Sequence, residues 1–212
     1  MPIPSAFQDH HKRLIGCRVC PDVQPPPVTG FTPGAAIYLL GQAPGPREQA
    51  AGLPFVGPAG RNLFKWFASI GVEESCFRSR VHMGAVIRCF PGKTPGKQGD
   101  RRPSPLEISC CASYLETEFG LLRPRLVIPV GKMAIDRLLP AKILDDAVGR
   151  VFQLDLDGHR FDAIPLPHPS GLNRWIQKDP GKSLLGEGLQ LIAAHPVWQQ
   201  VFGQDPTTPP PR

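Results

Sequence analysis

Two stretches of this 212-residue chain combine conformationally special residues with one reactive or aromatic side chain. The first opens at Gly41 and Gln42, passes through Pro44 and Gly45, and resumes at residues 54–60 around Phe55. Its glycines and prolines shape a tight loop just after an apolar run, and such a loop points backbone N–H groups at an anionic ligand. Phe55 lies among turn formers, outside any helical or alternating apolar pattern. An aromatic ring there can stack on a flat base, or it can pack beneath its own loop. The second stretch is residues 167–174, where His168 stands between two prolines. Prolines restrict that backbone, so the imidazole can be aimed at a group that gains negative charge during a reaction. A loop histidine without special role is the plainer reading. Ser170 and Arg174 suit phosphate contacts, and Leu172, apolar in a polar glycine-rich loop, suits a wedge between stacked bases.

Six cysteines supply a third set. Cys17 and Cys20 form a C-x2-C pair, Cys89 follows an apolar run, and Cys110 and Cys111 are adjacent. Four thiolates drawn from three segments can bind a tetrahedral zinc ion or a four-iron cluster. Adjacent cysteines do not easily ligate one ion, so one of Cys110 and Cys111 is read as the ligand. The other, with Cys76, is read as an ordinary buried thiol. The N-terminal residues lack an apolar signal core, which points to a reducing, cytoplasmic setting where cysteines serve metals or catalysis.

The elements that must position these groups follow from pattern. Residues 35–40 and 126–130 are continuous apolar runs closed by Gly41 and Gly131, as expected of buried parallel strands. Residues 81–88 read as another strand. Residues 59–70 place Leu63, Trp66, Phe67 and Ile70 on one helical face. Ser104, Pro105 and Glu107 form a capping box, starting a helix expected to reach Phe119. Asp157 and Gly158 mark a hairpin between residues 151–156 and 160–166, and residues 183–194 read as a last helix. Residues 42–58 and the basic, glycine-rich residues 93–102 read as loops, the second of them mobile. Residues 204–212 read as a disordered proline-rich tail after a single domain over residues 1–203. Strands alternating with helices imply a three-layer α/β/α sandwich around a mostly parallel sheet. Ligands bind at the carboxyl ends of such strands, which gathers Gln42, Cys89, Gly131 and His168 near one rim.

Composition narrows the partners. The 41% hydrophobic content supports a core, and the net charge of +6 fits a polyanion such as nucleic acid or an anionic membrane surface. No run of about 18 apolar residues occurs, so no membrane span is expected.

Taken together, these sets resemble the uracil-DNA glycosylase superfamily, most of all its iron–sulfur class, family 4. That class carries an N-terminal C-x2-C pair, a G-E-x-P-G-type motif and a P-F-V-G-x-A-G segment. A strand-end cysteine, a helical cysteine and an H-P-x loop then follow. Residues 17–20, 41–45, 54–60, 89–92, Cys111 and residues 168–174 match in that order. The resemblance implies a monomeric enzyme that flips uracil out of DNA and hydrolyses its N-glycosidic bond. It also implies a 4Fe-4S cluster on Cys17, Cys20, Cys89 and Cys111.

By the same resemblance Phe55 stacks on the extruded base beside Gly41, and His168 stabilises the oxyanion of the leaving base. Leu172 is the wedge, with Ser170 and Arg174 on the DNA backbone. Gln42 stands where family 4 usually has glutamate, and it contacts the base or the water. Glu48 is the best-placed carboxylate for that water. Two departures stand out. Ala85 occupies the position of a base-reading asparagine, which puts base selection in question, and Ala43 occupies the place of the family-1 aspartate. No lysine is placed as a Schiff-base nucleophile, so a monofunctional enzyme is expected. Three alternatives stay in view: excision of hypoxanthine or xanthine, DNA binding without catalysis, and a zinc-stabilised enzyme of small molecules.

Overall fold

The computed structural model describes residues 5–96, 99–139 and 143–203. The expected tail, residues 204–212, lies outside them. A helix, α1 (Ser5–Ile15), precedes the first strand, β1 (Ile37–Gly41). Then come α2 (Pro46–Ala51), α3 (Pro58–Ala68), α4 (Glu74–Arg80) and β2 (Val81–Ala85). The long helix α5 (Pro105–Leu122) leads to β3 (Leu126–Pro129) and α6 (Lys132–Leu138). A hairpin of β4 (Phe152–Leu156) and β5 (His159–Ala163) is followed by α7 (Gly181–Ala194) and α8 (Pro196–Phe202).

The five strands form one sheet in the order β2-β1-β3-β5-β4. All pairings are parallel except that of β4 with β5. The β4–β5 turn has Asp157 at φ 51° and Gly158 at φ 75°. Two left-handed residues in succession match the twist of a tight hairpin, which is why the Asp-Gly pair marks it.

Side chains alternate across the sheet, and each face has its own core. On one face Ile37, Leu39 and Ile128 meet Leu63 and Phe67 of α3, Phe77 of α4, Ile192 of α7 and Trp198 of α8. On the other, Tyr38, Leu40 and Val127 meet Leu115 and Phe119 of α5 and Ala134 of α6. The expected three layers are therefore present. The four residues Ile37, Tyr38, Leu39 and Leu40 are fully buried. A central parallel strand covered on both faces has no polar side, which explains its unbroken apolar run.

Pro129 is tolerated in β3 because it ends the strand and needs only its carbonyl, which accepts from the Leu166 N–H at 2.9 Å. Three expectations change. The loop at residues 42–58 contains α2, and β2 ends at Ala85 rather than Arg88. The stretch 93–102 is in part a pinned hairpin: Lys93 bridges Asp100, and the Arg101 N–H donates to the Gly92 carbonyl at 2.9 Å.

Candidate active site and cysteine cavity

Four parallel strands end at one rim, and the loops leaving β1, β2 and β5 surround a cleft of about 560 Å³. Gly41, Gln42, Glu48, Phe55, Ala85, His168, Ser170 and Leu172 all line it. Arg174 does not; it is exposed at the start of a short 3-10 helix over Arg174–Gln177.

Phe55 is held in an unusual backbone state, with φ at 55°. A left-handed conformation costs an aromatic residue about 1–3 kcal/mol, so surrounding contacts must enforce it. Arg78 does so from α4. Its guanidinium donates to the carbonyls of Pro54 at 2.9 Å and Phe55 at 3.1 Å, and to Glu74 at 2.8 Å. It also stacks 4.6 Å above the ring of Phe64. Two glycines make room: a Cβ on Gly60 would fall 1.8 Å from the Phe55 carbonyl oxygen, and one on Gly41 would fall 3.0 Å from the Phe55 ring. The ring thus lies against the bare end of β1. Arg78 was not legible as a site residue, because only the tertiary fold brings it to a loop 23 residues away.

Glu48 occupies the third position of α2, and both its oxygens accept backbone N–H groups. Oε2 takes the Gly45 N–H at 3.2 Å and Oε1 the Gly57 N–H at 2.8 Å. Those donors open α2 and α3 respectively, so one carboxylate joins two helix starts and fixes the loop carrying Phe55. The Gln42 side chain turns towards α6, where its Oε1 accepts the Met133 N–H at 3.3 Å.

His168 follows the extension of β5 and is half-buried. Its Nδ1 accepts the Ser170 backbone N–H at 3.2 Å. A backbone N–H can only donate, so Nδ1 is unprotonated there and the ring proton sits on Nε2. Burial lowers the imidazole pKa from 6.5, which favours this neutral form. The loop is pinned twice more: Asn173 donates to the His168 carbonyl at 2.9 Å and Asn62 to the Pro169 carbonyl at 3.0 Å. Leu172, by contrast, is 91% exposed.

At Ala85 the cleft wall presents a methyl group. Its carbonyl is engaged elsewhere, accepting from Arg88 Nε at 2.8 Å. Arg88 is buried, and all five of its side-chain N–H donors find acceptors. Nη1 bonds Glu118 at 2.9 Å and Thr29 at 3.1 Å, and Nη2 bonds Glu118 at 2.6 Å and Tyr38 at 3.0 Å. Burial of Glu118 opposes its charge, yet Arg88, His10 and His82 outweigh that and hold its carboxyl well below 4.5.

The cysteines occupy a separate cavity of about 240 Å³, so Cys89 does not share the rim of Gln42 and His168 as expected. Cys17, Cys20, Cys89 and Cys111 line it, with Leu14, Val23 and Ile87 among its apolar walls; Cys110 does not line it. Burial pushes the Cys89 thiol up to about 12, reinforced by Cys111, Cys17 and Cys20. Burial and the thiols of Cys111 and Cys110 push Cys20 up to about 11. Four thiols in a small, mostly apolar cavity are a donor set suited to a metal centre. Among the described residues no three His, Cys, Asp or Glu side chains converge closely enough for one ion. Four cysteines lining one cavity are a donor set that a four-iron cluster could take.

The comparisons agree with this architecture. The family model for the uracil DNA glycosylase superfamily matches residues 29–185. A Type-4 uracil-DNA glycosylase of Archaeoglobus fulgidus is 28% identical over 177 residues, covering 79% of this chain and 83% of that protein. One of Pyrobaculum aerophilum is 30% identical over 143 residues, covering 65% and 68%. A Type-5 uracil-DNA glycosylase of Thermus thermophilus is 33% identical over 125 residues, covering 53% and 54%. With the matched residues spanning most of the domain and both core loops, the chain belongs to the uracil DNA glycosylase superfamily.

Proposed function

We propose that this protein removes uracil from DNA by hydrolysing its N-glycosidic bond. The observation that carries the reading is His168, whose Nε2–H is left as a donor beside the Phe55 loop. The flipped base stacks on Phe55. As the glycosidic bond breaks, the base departs as an anion and the sugar becomes oxocarbenium-like. The Nε2–H of neutral His168 donates to the oxygen that gains this charge. A pre-aimed donor of this kind lowers the barrier by about 3–4 kcal/mol.

Water then attacks the anomeric carbon and yields an abasic strand. Glu48 orients that water through a remaining lone pair while two backbone N–H groups hold its carboxylate. Gln42 contributes its amide Nε2 beside His168; a Cβ on Gly131 would meet both groups, at 3.0 Å and 3.1 Å. Leu172 fills the gap left in the base stack, with Ser170 and Arg174 on the phosphates. No lysine is assigned as a nucleophile, so the strand stays intact.

Cys17, Cys20, Cys89 and Cys111 would hold a 4Fe-4S cluster. It would supply no step of the reaction and would act as a covalent cross-link between the N-terminal segment, the β2 exit and α5. The enzyme works as a monomer. Among the described residues no helix is long and apolar enough to cross a membrane.

A second reading rests on Ala85. Without a side-chain amide there, the wall rejects fewer bases, and hypoxanthine or xanthine becomes an acceptable substrate. A panel of oligonucleotides, each with a single uracil, hypoxanthine or xanthine, separates the two. Uracil excised fastest supports the first reading, and a purine excised with uracil untouched replaces it.

A further inference from the structure

A second cavity, of about 570 Å³, lies beside the base cleft and shares Gln42, Ala43, Pro44, Asp100 and His168 with it. Gln42, Ala43 and Pro44, the ridge that follows β1, thus border both. We infer that this cavity receives the nucleobase next to the excised one on the same strand. The inference rests on the glycosylase reading, since that reading puts a DNA strand at the shared ridge.

The chemistry of the walls carries it. Val86, Ile108 and Met133 of α6 give the cavity an apolar surface, with the charged Lys132, Asp136 and Arg137 also in its walls. That suits the face of a planar base. The near wall is Pro91, Asp100 and Arg101, beside the bridge between Lys93 and Asp100. It is braced by the Thr94 N–H on the Gly99 carbonyl at 2.9 Å. Arg101 then ties it down, bonding the Glu107 carboxylate at 2.9 Å and the Asp22 carbonyl at 2.8 Å. This wall is preformed, so little ordering is needed on binding.

Arg102 completes the site. It is exposed on the rim, and its guanidinium has no hydrogen-bond partner among the described residues. The phosphate between two nucleotides that straddle the ridge is the anion such a rim cation would meet. A neighbouring base seated here has left the duplex stack. The site therefore favours a strand that is unpaired around the lesion.

The test pairs substrate changes with protein changes. Uracil oligonucleotides are prepared with a reduced abasic residue on the 5′ or the 3′ side of the uracil. Cleavable strands report kcat/KM, and non-cleavable 2′-fluoro-uridine strands report Kd. Loss of one neighbouring base, on one side only, should lower both affinity and kcat/KM by about tenfold, the scale of one stacked base. Ile108→Trp fills the cavity and should make the enzyme indifferent to that missing base. Arg102→Ala, a surface change that leaves folding intact, should weaken binding and reduce the slope of log Kd against log salt by about 1.

Equal binding of intact and abasic-neighbour strands would overturn the inference, as would an unchanged salt slope in Arg102→Ala. Absence of uracil excision with neighbour-sensitive binding would count against the glycosylase reading and leave the cavity assignment standing.

Discussion

The guanidinium of Arg78 donates to the main-chain carbonyl of Phe55 at 3.1 Å and so holds an aromatic residue at positive φ. A second bond, to the Pro54 carbonyl at 2.9 Å, makes the grip bidentate. Arg78→Ala removes both and lets the loop relax to ordinary backbone. We expect kcat/KM on uracil DNA to fall about tenfold or more, as misplacement of a positioned group does. KM should rise more than kcat falls, because the lost contact is with the base in both ground and transition states. Arg78→Lys should restore little, since a lysine cannot reproduce the planar fork. Steady-state kinetics on the two variants checks this.

His168→Ala should lower kcat by about 10²–10³ with a small change in KM, because its donor acts on charge that develops in the transition state. The pH dependence follows from the neutral ring. Burial lowers its pKa from 6.5, so the active form persists below that value and activity declines only as the ring finally protonates. The same group makes folding less favourable as pH drops below 6.5, because the unfolded chain takes up the proton first. A kcat–pH profile that rose on acidification would contradict the neutral assignment.

Glu118 is the buried counter-ion of Arg88, at 2.6 Å and 2.9 Å. Glu118→Ala leaves a buried guanidinium unpaired and should destabilise the fold by about 3–5 kcal/mol. Its carboxyl is held well below 4.5, so its stabilising contribution is present above that pH and is lost as acid protonates the folded form. Urea unfolding across the acid range should show a steeper loss for the wild type than for Glu118→Gln.

Cys111→Ser should abolish the visible absorbance of a bound cluster and lower the melting temperature. Cys110→Ser should retain both, because Cys110 stands outside the cavity lined by Cys17, Cys20, Cys89 and Cys111. Iron and sulfide analysis of the anaerobically purified variants checks the pair.

Ala85→Asn should sharpen base choice. It adds an amide at a position that now offers only a methyl group, its own carbonyl being occupied by Arg88. The ratio of uracil to hypoxanthine excision should rise, and an unchanged ratio would show that position 85 does not face the base edge.

Much of this was legible in the chain itself, and the reasons differ by element. The run Ile37 to Leu40 announced a central strand because both its faces are covered. Ser104 and Glu107 announced the start of α5 because a capping box is local chemistry. Phe55 and His168 stood out because turn formers surround residues that no core periodicity explains. What escaped depends on contacts between distant segments. Arg78 looks like any exposed helix arginine until α4 packs under the Phe55 loop. Arg88, next to Cys89, shows no sign in sequence that its five donors will be matched by Thr29, Tyr38, Ala85 and Glu118. The hairpin at Lys93 and Asp100 read as a mobile glycine-rich loop, because its anchor, Arg101 on Glu107, joins the loop to a helix it precedes. Helix α2 was hidden by its brevity and its two flanking glycines.

The most direct measurement is mass-spectrometric identification of the base released from a single-stranded oligonucleotide carrying one uracil. A monofunctional uracil glycosylase should release free uracil in proportion to abasic strand, with the strand uncut until alkali is added, and His168→Ala should lose that release. Release of no base, or strand scission without alkali, would contradict that reading.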